Sequence, residues 1–379
     1  MSKPNQTFTL DEILSFFHQI NPGKSQSTYT TMKYNLQRIS KVANIDFIDI
    51  DATTIQPTTF LLKMEKYSLN TKIQTILGIE LWIKYKIAKI PHGSKTKIEK
   101  YNQLKFKWDR LLKEMCNSKT EQINKNEMTT KEKENWIDYD ELRDKIVNHA
   151  WSNFKKINET DDVAIHAETI KENYVKWRDL TLVGLFTLIP PTRIGNYQKM
   201  KIRFKRKNSI TSYKQDKNYL MIDEGTEKVF PTNKYTLCFN QYKTSKFVGQ
   251  VSKPITDHTL IKLLDRYLLY RLAFLPIKPN KLVETDTLFL TADTKKPLTQ
   301  AYITETLKKT TNNLVGKKLS CDMFRKIFLT WFLSDNSKSI AERQEMAKFI
   351  GQTYTPAIME KYKRIKQNMP KTTITLNFD

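Results

Sequence analysis

The chain has 379 residues, 64 of them Lys or Arg against 40 Asp or Glu, giving a formal charge of +24. This length suggests about two domains, and the charge predicts a polyanionic partner, with nucleic acid ahead of an anionic membrane. No stretch approaches the roughly 20 apolar residues of a spanning helix, and the opening MSKPNQTFTLDEIL lacks the apolar core of a secretory signal.

The 39% hydrophobic residues first gather at helical spacing in TLDEILSFFHQI, STYTTMKYNLQRISKVANI and SLNTKIQTILGIELWIKYKI, where Met32, Leu36, Ile39 and Val42 share one face. These segments predict a compact helical domain over residues 1–92, suited to DNA binding. Residues 93–136 are dense in charge and crossed by turn formers, which predicts a linker with one helix and a domain boundary inside it. Its lysines, Lys95 and Lys97 among them, read either as a solvated face or as phosphate contacts.

A second domain is expected over residues 137–366. DYDELRDKIVNHAWSNF and NYVKWRDLTLVGLFTLI are helical in period, and the second stops at Pro190 and Pro191. The pattern then changes to short alternating runs, NYLMID, KYTLCFNQYK and GQVSKPIT, the last two divided by a turn at TSKFVG, which predicts a small antiparallel sheet. Helical spacing resumes in LIKLLDRYLLYRLAFL, TQAYITETLKKTTNNLV, CDMFRKIFLTWFL and IAERQEMAKFIG. Thr355 and Pro356 read as an N-cap and first helical residue for PAIMEKYKRIK.

Several chemistries find no support. Cys116, Cys238 and Cys321 are too far apart for a zinc pair and form no even set for a disulfide framework, so a reducing compartment is expected. The five histidines are scattered, and no HExxH, Walker A or GxGxxG motif appears. We therefore expect no metal and no organic cofactor.

What remains is an ordered set of residues suited to phosphate chemistry. Arg193 follows a helix break in PPTRIGNYQKM, Lys243 lies in NQYKTSK, and Arg325 is in the first turns of CDMFRKIF. Gln352 follows Gly351, and Tyr362 comes ten residues after Gln352. Cleaving a phosphodiester without a metal needs an in-line nucleophile and cations on the non-bridging oxygens, and planar, permanently charged guanidiniums suit the second task. Lys243 or Lys246 could protonate the leaving oxygen. Tyr362, flanked by Lys361 and Lys363, or Tyr354 in the preceding turn could be the nucleophile. Asp322 reads either as an acid favoured in the first turn of a helix or as a site residue that holds Arg325 or takes the tyrosine's proton.

The succession resembles the tyrosine recombinases, the phage-type integrase family whose catalytic domain is related to the type IB topoisomerases. DTLFLTADTKKPLTQAYITETLKK also looks like that family's stretch before its His-x-x-Arg helix. The resemblance spans about Tyr139 to Lys366 and departs at Pro191, Asn196, Asp322 and Gln352, where the family usually carries Gly, an acid, His and His. It implies a mainly α fold with a small sheet, arranged as a two-domain clamp of a helical core-binding domain and an α+β catalytic domain. It favours Tyr362 as nucleophile, Lys243 as general acid, and Arg193, Arg325, Asp322 and Gln352 around the phosphate. It also implies a 3′-phosphotyrosyl intermediate formed on double-stranded DNA, a tetramer on that DNA, and a tail, residues 367–379, that contacts a neighbouring protomer. Phosphate contacts are expected at Lys95, Lys97, Lys205, Arg206, Lys207, Lys246, Lys326, Lys361 and Lys363. A mobile element or virus is the expected owner, and an intracellular site, wherever the target DNA lies, the expected location. A topoisomerase-like enzyme and an inactive, recombinase-derived DNA-binding protein are the alternatives. A metal-dependent transposase is disfavoured by the lack of an acidic trio.

Overall fold

A computed structural model describes residues 9–91, 94–158, 167–205, 217–223, 234–242, 244–274, 287–352, 355 and 363–364. The chain divides into two compact units, Met1–Lys125 and Asn126–Asp379. Among the described residues no helix is long and apolar enough to cross a membrane.

The first unit is helical: α1 (Leu10–Ile20), α2 (Gln26–Ala43), α3 (Pro57–Lys63), α4 (Leu69–Lys89) and α5 (Lys95–Asn124). Local chemistry sets its helix starts. Thr9 and Glu12 form a reciprocal capping box on α1, while the Ser25 and Ser68 side chains accept backbone N–H groups at the starts of α2 and α4. Leu36, Ile39 and Val42 are buried, and Met32 packs against the same core from its edge. α2 and α4 approach closely at Gly78, where a Cβ would lie 3.1 Å from the Asn35 backbone.

The boundary between the units falls within the segment read as a linker, after Lys125, but most of that segment is one long helix of the first unit. α5 runs for 30 residues and belongs to the first unit. Its buried anchors, Leu104 and Trp108, are one turn apart, and Trp108 packs edge-on against Phe60 and donates Nε1–H to the Ile55 carbonyl at 3.0 Å. Two apolar positions in a charged helix suffice because Trp108 carries so much burial area. The next helix, α6 (Thr130–Glu134), lies in the second unit.

The second unit continues with α7 (Tyr139–Asn158), α8 (Ala167–Thr187), α9 (Ile194–Gln198), β1 (Lys201–Lys205), β2 (Tyr219–Asp223), β3 (Lys234–Phe239), α10 (Ser245–Val248) and β4 (Val251–Pro254). α11 (His258–Phe274), α12 (Gln300–Val315), α13 (Cys321–Ser334) and α14 (Ile340–Phe349) follow. α8 runs through the core, with Leu182, Val183, Leu185 and Phe186 fully buried and α11 packed along it. The expected antiparallel sheet is instead mixed, in the order β1-β2-β3-β4. β2 to β4 are antiparallel, but β1 lies parallel to β2, with Ile202 opposite Leu220. β1 is KIRFK, a segment outside the alternating runs that predicted the sheet, and its Ile202 and Arg203 are both buried.

Trp108→Ala should destabilise the first unit by about 3–5 kcal/mol through the cavity and the stranded Ile55 carbonyl. Hydrogen exchange resolved along the chain should show lost protection within residues 9–125 and none in the second unit.

Candidate functional site

The end of α8 begins the site. Beyond Thr187 the chain passes Pro190 and Pro191 and reaches Arg193, the N-cap of α9, in extended conformation. α13 starts nearby, capped by the Ser320 side chain. The Cys321 thiol donates to the Thr192 carbonyl at 3.3 Å, joining the turn of Arg193 to the helix of Arg325. Arg325 lies one turn beyond Cys321 and is buried, while Arg193 is half-buried.

The Cys321 thiol senses both guanidiniums. Burial pushes its pKa up to about 11, against the opposing charge of Arg325, a backbone hydrogen bond at Ile194 and the charge of Arg193, with Asp322 adding to the rise. Arg325 and Arg193 are permanent cations, the charge type suited to holding an oxyanion. The raised pKa keeps the thiol protonated at neutral pH, so Cys321 offers no thiolate nucleophile.

A chain of rings fixes the elements that carry these residues. Phe324, beside Arg325, lies 5.8 Å from Phe186 of α8, and Phe186 lies 5.3 Å from Tyr197 of α9. Tyr197 meets Phe239 at the end of β3 at 5.8 Å, and Phe239 meets Phe349 at the end of α14 at 6.2 Å.

Beyond Phe349 the chain closes α14 in a Schellman turn. The Gln352 N–H donates to Ala347 and the Gly351 N–H to Lys348, with Gly351 at φ +70°. Glycine is required there twice over, since a Cβ would also sit 3.0 Å from the Tyr242 ring. Thr244 Oγ1 donates to the Gly351 carbonyl at 2.5 Å. Both neighbours of Lys243 therefore dock on the turn that presents buried Gln352. Lys243 itself lies outside the described residues.

Asn218, buried just before β2, ties this loop to α9. Its amide donates to the carbonyls of Asn196 at 3.0 Å and Gln241 at 2.9 Å, and its oxygen accepts the N–H groups of Asn240 and Gln241, both at 2.8 Å. No sequence signal marked Asn218, because its partners are 22 and 23 residues away. Asn196 is buried in α9, its carbonyl held by that amide.

Tyr354, Tyr362, Lys361, the helix expected from Pro356 and the tail 367–379 lie outside the described residues. Lys363 is half-buried, and Arg364 is fastened to α13 through its backbone N–H, which donates to Thr330 Oγ1 at 2.9 Å. The Arg364 guanidinium reaches Glu132 of α6 at 3.5 Å. Lys326, expected at a phosphate, instead donates to the same buried carboxylate at 2.5 Å, because Glu132 needs a cation at close range once out of water. Burial opposes ionisation of Glu132, but the Lys326 hydrogen bond, the Thr129 N–H and the charges of Lys326 and Arg364 outweigh it and hold the carboxyl below its ordinary value.

Asp322 is exposed, 3.7 Å from Lys326, and occupies the first turn of α13, where an acid complements the helix dipole. Lys95 and Lys97 are exposed at the start of α5. Lys205 ends β1 and Lys246 lies within α10, but their side chains, like all of Arg206 and Lys207, are outside the described residues.

No protein-family model and no curated protein matches this chain. A crystal structure of XerA recombinase is similar to it over 94% of each chain, at 14% identity and a TM-score of 0.34.

Glu132→Ala should destabilise the second unit by about 3–5 kcal/mol, because it leaves two poorly exposed cations without their carboxylate. The folded-state pKa of Glu132 is depressed, so its contribution is present above the ordinary glutamate value and fades as pH falls through the lower folded value. Glu132→Gln should remove that part of the acid dependence, read from thermal unfolding between neutral and strongly acidic pH.

Proposed function

We propose that this chain cuts and rejoins duplex DNA through a tyrosine nucleophile, as a site-specific recombinase or integrase. The observation that carries the reading is the hydrogen bond from the Cys321 thiol to the Thr192 carbonyl, which joins the turn of Arg193 to the helix of Arg325, within a unit whose Thr244 is docked on the turn that presents Gln352. Such a pair can hold the non-bridging oxygens of a scissile phosphate and neutralise the charge that grows there. The Tyr362 oxygen attacks phosphorus while the bond to the 5′-oxygen breaks. The phenol proton passes to solvent, and Lys243 protonates the departing oxygen, leaving a 3′-phosphotyrosyl link and a free 5′-hydroxyl. Attack by a 5′-hydroxyl of another strand reverses these steps and completes exchange.

The anchoring of Arg364 on α13 supports Tyr362 over Tyr354, because Tyr362 is bonded directly to the segment held on the helix of Arg325. The charge of +24 supports binding through phosphates, and affinity should fall steeply with salt. Exchange between two duplexes requires several copies of the chain, which we take to be four, and an element that moves between DNA sites is the natural owner of such an enzyme.

Nicked duplexes incubated with the protein and resolved under denaturing conditions should yield a covalent adduct with the wild type and with Tyr354→Phe, and none with Tyr362→Phe at unchanged DNA affinity. An adduct from Tyr362→Phe would reassign the nucleophile. Absence of any adduct from the wild type, with DNA binding intact, would mark an inactive binding protein.

Lys243→Ala should abolish cleavage of an ordinary phosphodiester and recover largely on a substrate with sulfur at the bridging 5′ position, whose departure needs little protonation. Arg193→Ala and Arg325→Ala should not recover, since their role is at the non-bridging oxygens. Rescue of Lys246→Ala instead would move the general acid to Lys246.

A further inference from the structure

The loop between β3 and β4 presents Phe247 with its side chain 84% exposed, the most exposed large apolar group among the described residues. A lone exposed hydrophobic is ordinary on a protein surface. This one differs because its backbone is braced. The Ser245, Phe247, Val248 and Gly249 N–H groups all donate within the turn, to Tyr242, Thr244, Thr244 and Ser245 respectively. The Tyr242 hydroxyl crosses the loop to the Gly249 carbonyl at 2.5 Å, and Val248 packs against the core. Tyr242 and Thr244 dock on Gly351 as described, so one face of the loop is fixed while Phe247 stands in solvent.

That place adjoins the turn that presents Gln352, a residue of the proposed phosphate site. Thr244, which hydrogen-bonds Gly351 beside Gln352, lies three residues before Phe247, and Asn218 couples the root of the same loop to the segment after Arg193. A phenyl ring has no donor for a phosphate. It gains only from an apolar surface, and of the apolar surfaces near a scissile phosphate, sugar C–H edges and base faces, only a base face is flat and wide enough to cover a phenyl ring.

We propose that Phe247 is a wedge that enters a base step of duplex DNA next to the bound phosphate, unstacking it in part and bending the duplex around the second unit. The inference rests on the DNA-cleaving function proposed above, to which it adds a contact with bases. The ring makes no charge contact, so its share of the affinity does not depend on salt, unlike that of any lysine at a phosphate.

The test uses short mixed-sequence duplexes carrying 2-aminopurine at successive positions, with binding measured across a salt series. Wild-type protein should raise the 2-aminopurine fluorescence as bases unstack. Phe247→Ala should abolish the rise and weaken binding about tenfold, the scale of base–aromatic contacts, at an unchanged salt slope. Phe247→Leu should retain most of both effects, since a wedge acts through apolar volume. The exposed ring makes folding of both variants a minor concern, and thermal unfolding checks it. Wild-type affinity and fluorescence in Phe247→Ala overturn the proposal, as does a reduced salt slope, which would make the loop a phosphate contact. A change confined to self-association in sedimentation also overturns it, with a second copy of the chain as the ring's partner. If the wild type binds no duplex at all, the nucleic-acid reading of the chain fails before any variant is compared, and the wedge fails with it.

Discussion

Phe186 lies fully buried on α8, with Tyr197 on one side and Phe324 on the other. Those two rings belong to the short helix behind Arg193 and the long helix of Arg325, so a single aromatic side chain packs against both helices that carry these arginines. Close-packed interiors leave such rings little freedom. The chain of rings continues through Phe239 to Phe349 and brings the loop after β3 and the turn after α14 into the same frame. The placement of the charged groups follows from apolar packing beneath them.

Polar contacts then refine what the rings place coarsely. Asn218 satisfies four backbone groups at once, an efficient use of one buried amide and a reason that the turn before Lys243 holds its path. The thiol of Cys321 gives the Thr192 carbonyl a partner at the start of α13. Glu132 of α6 gathers Lys326 of α13 and Arg364, whose backbone is held on Thr330 of that helix. Each contact is worth little by itself, but each restrains a different segment that meets the site.

The charge of the chain divides into two kinds. Lys95 and Lys97 stand in solvent at the start of α5, where the helix dipole gives a cation no support and a bound anion would relieve the repulsion. Arg325, Lys326 and Arg364 are drawn inward, where desolvation makes every partner costly to lose. A count of basic residues treats the two kinds alike, although only the first stands in solvent.

The sequence by itself determined helices whose evidence is local, α2 and α8 among them: the spacing of Leu36, Ile39 and Val42 and the break at Pro190 and Pro191 are each complete within a few residues. It also singled out Arg193, Arg325 and Gln352 as residue types suited to phosphate, and the alternating runs that became β2, β3 and β4. Only the tertiary structure decided what each of these meets. KIRFK became a strand parallel to β2 because a pairing partner lies at a distance in sequence that no local pattern encodes. α5 joined the first unit through Leu104 and Trp108, since how much one tryptophan buries depends on the pocket that Phe60 and Ile55 provide. Lys326 turned to Glu132 because a residue's charge is written in its type, whereas the partner that claims it is a product of folding.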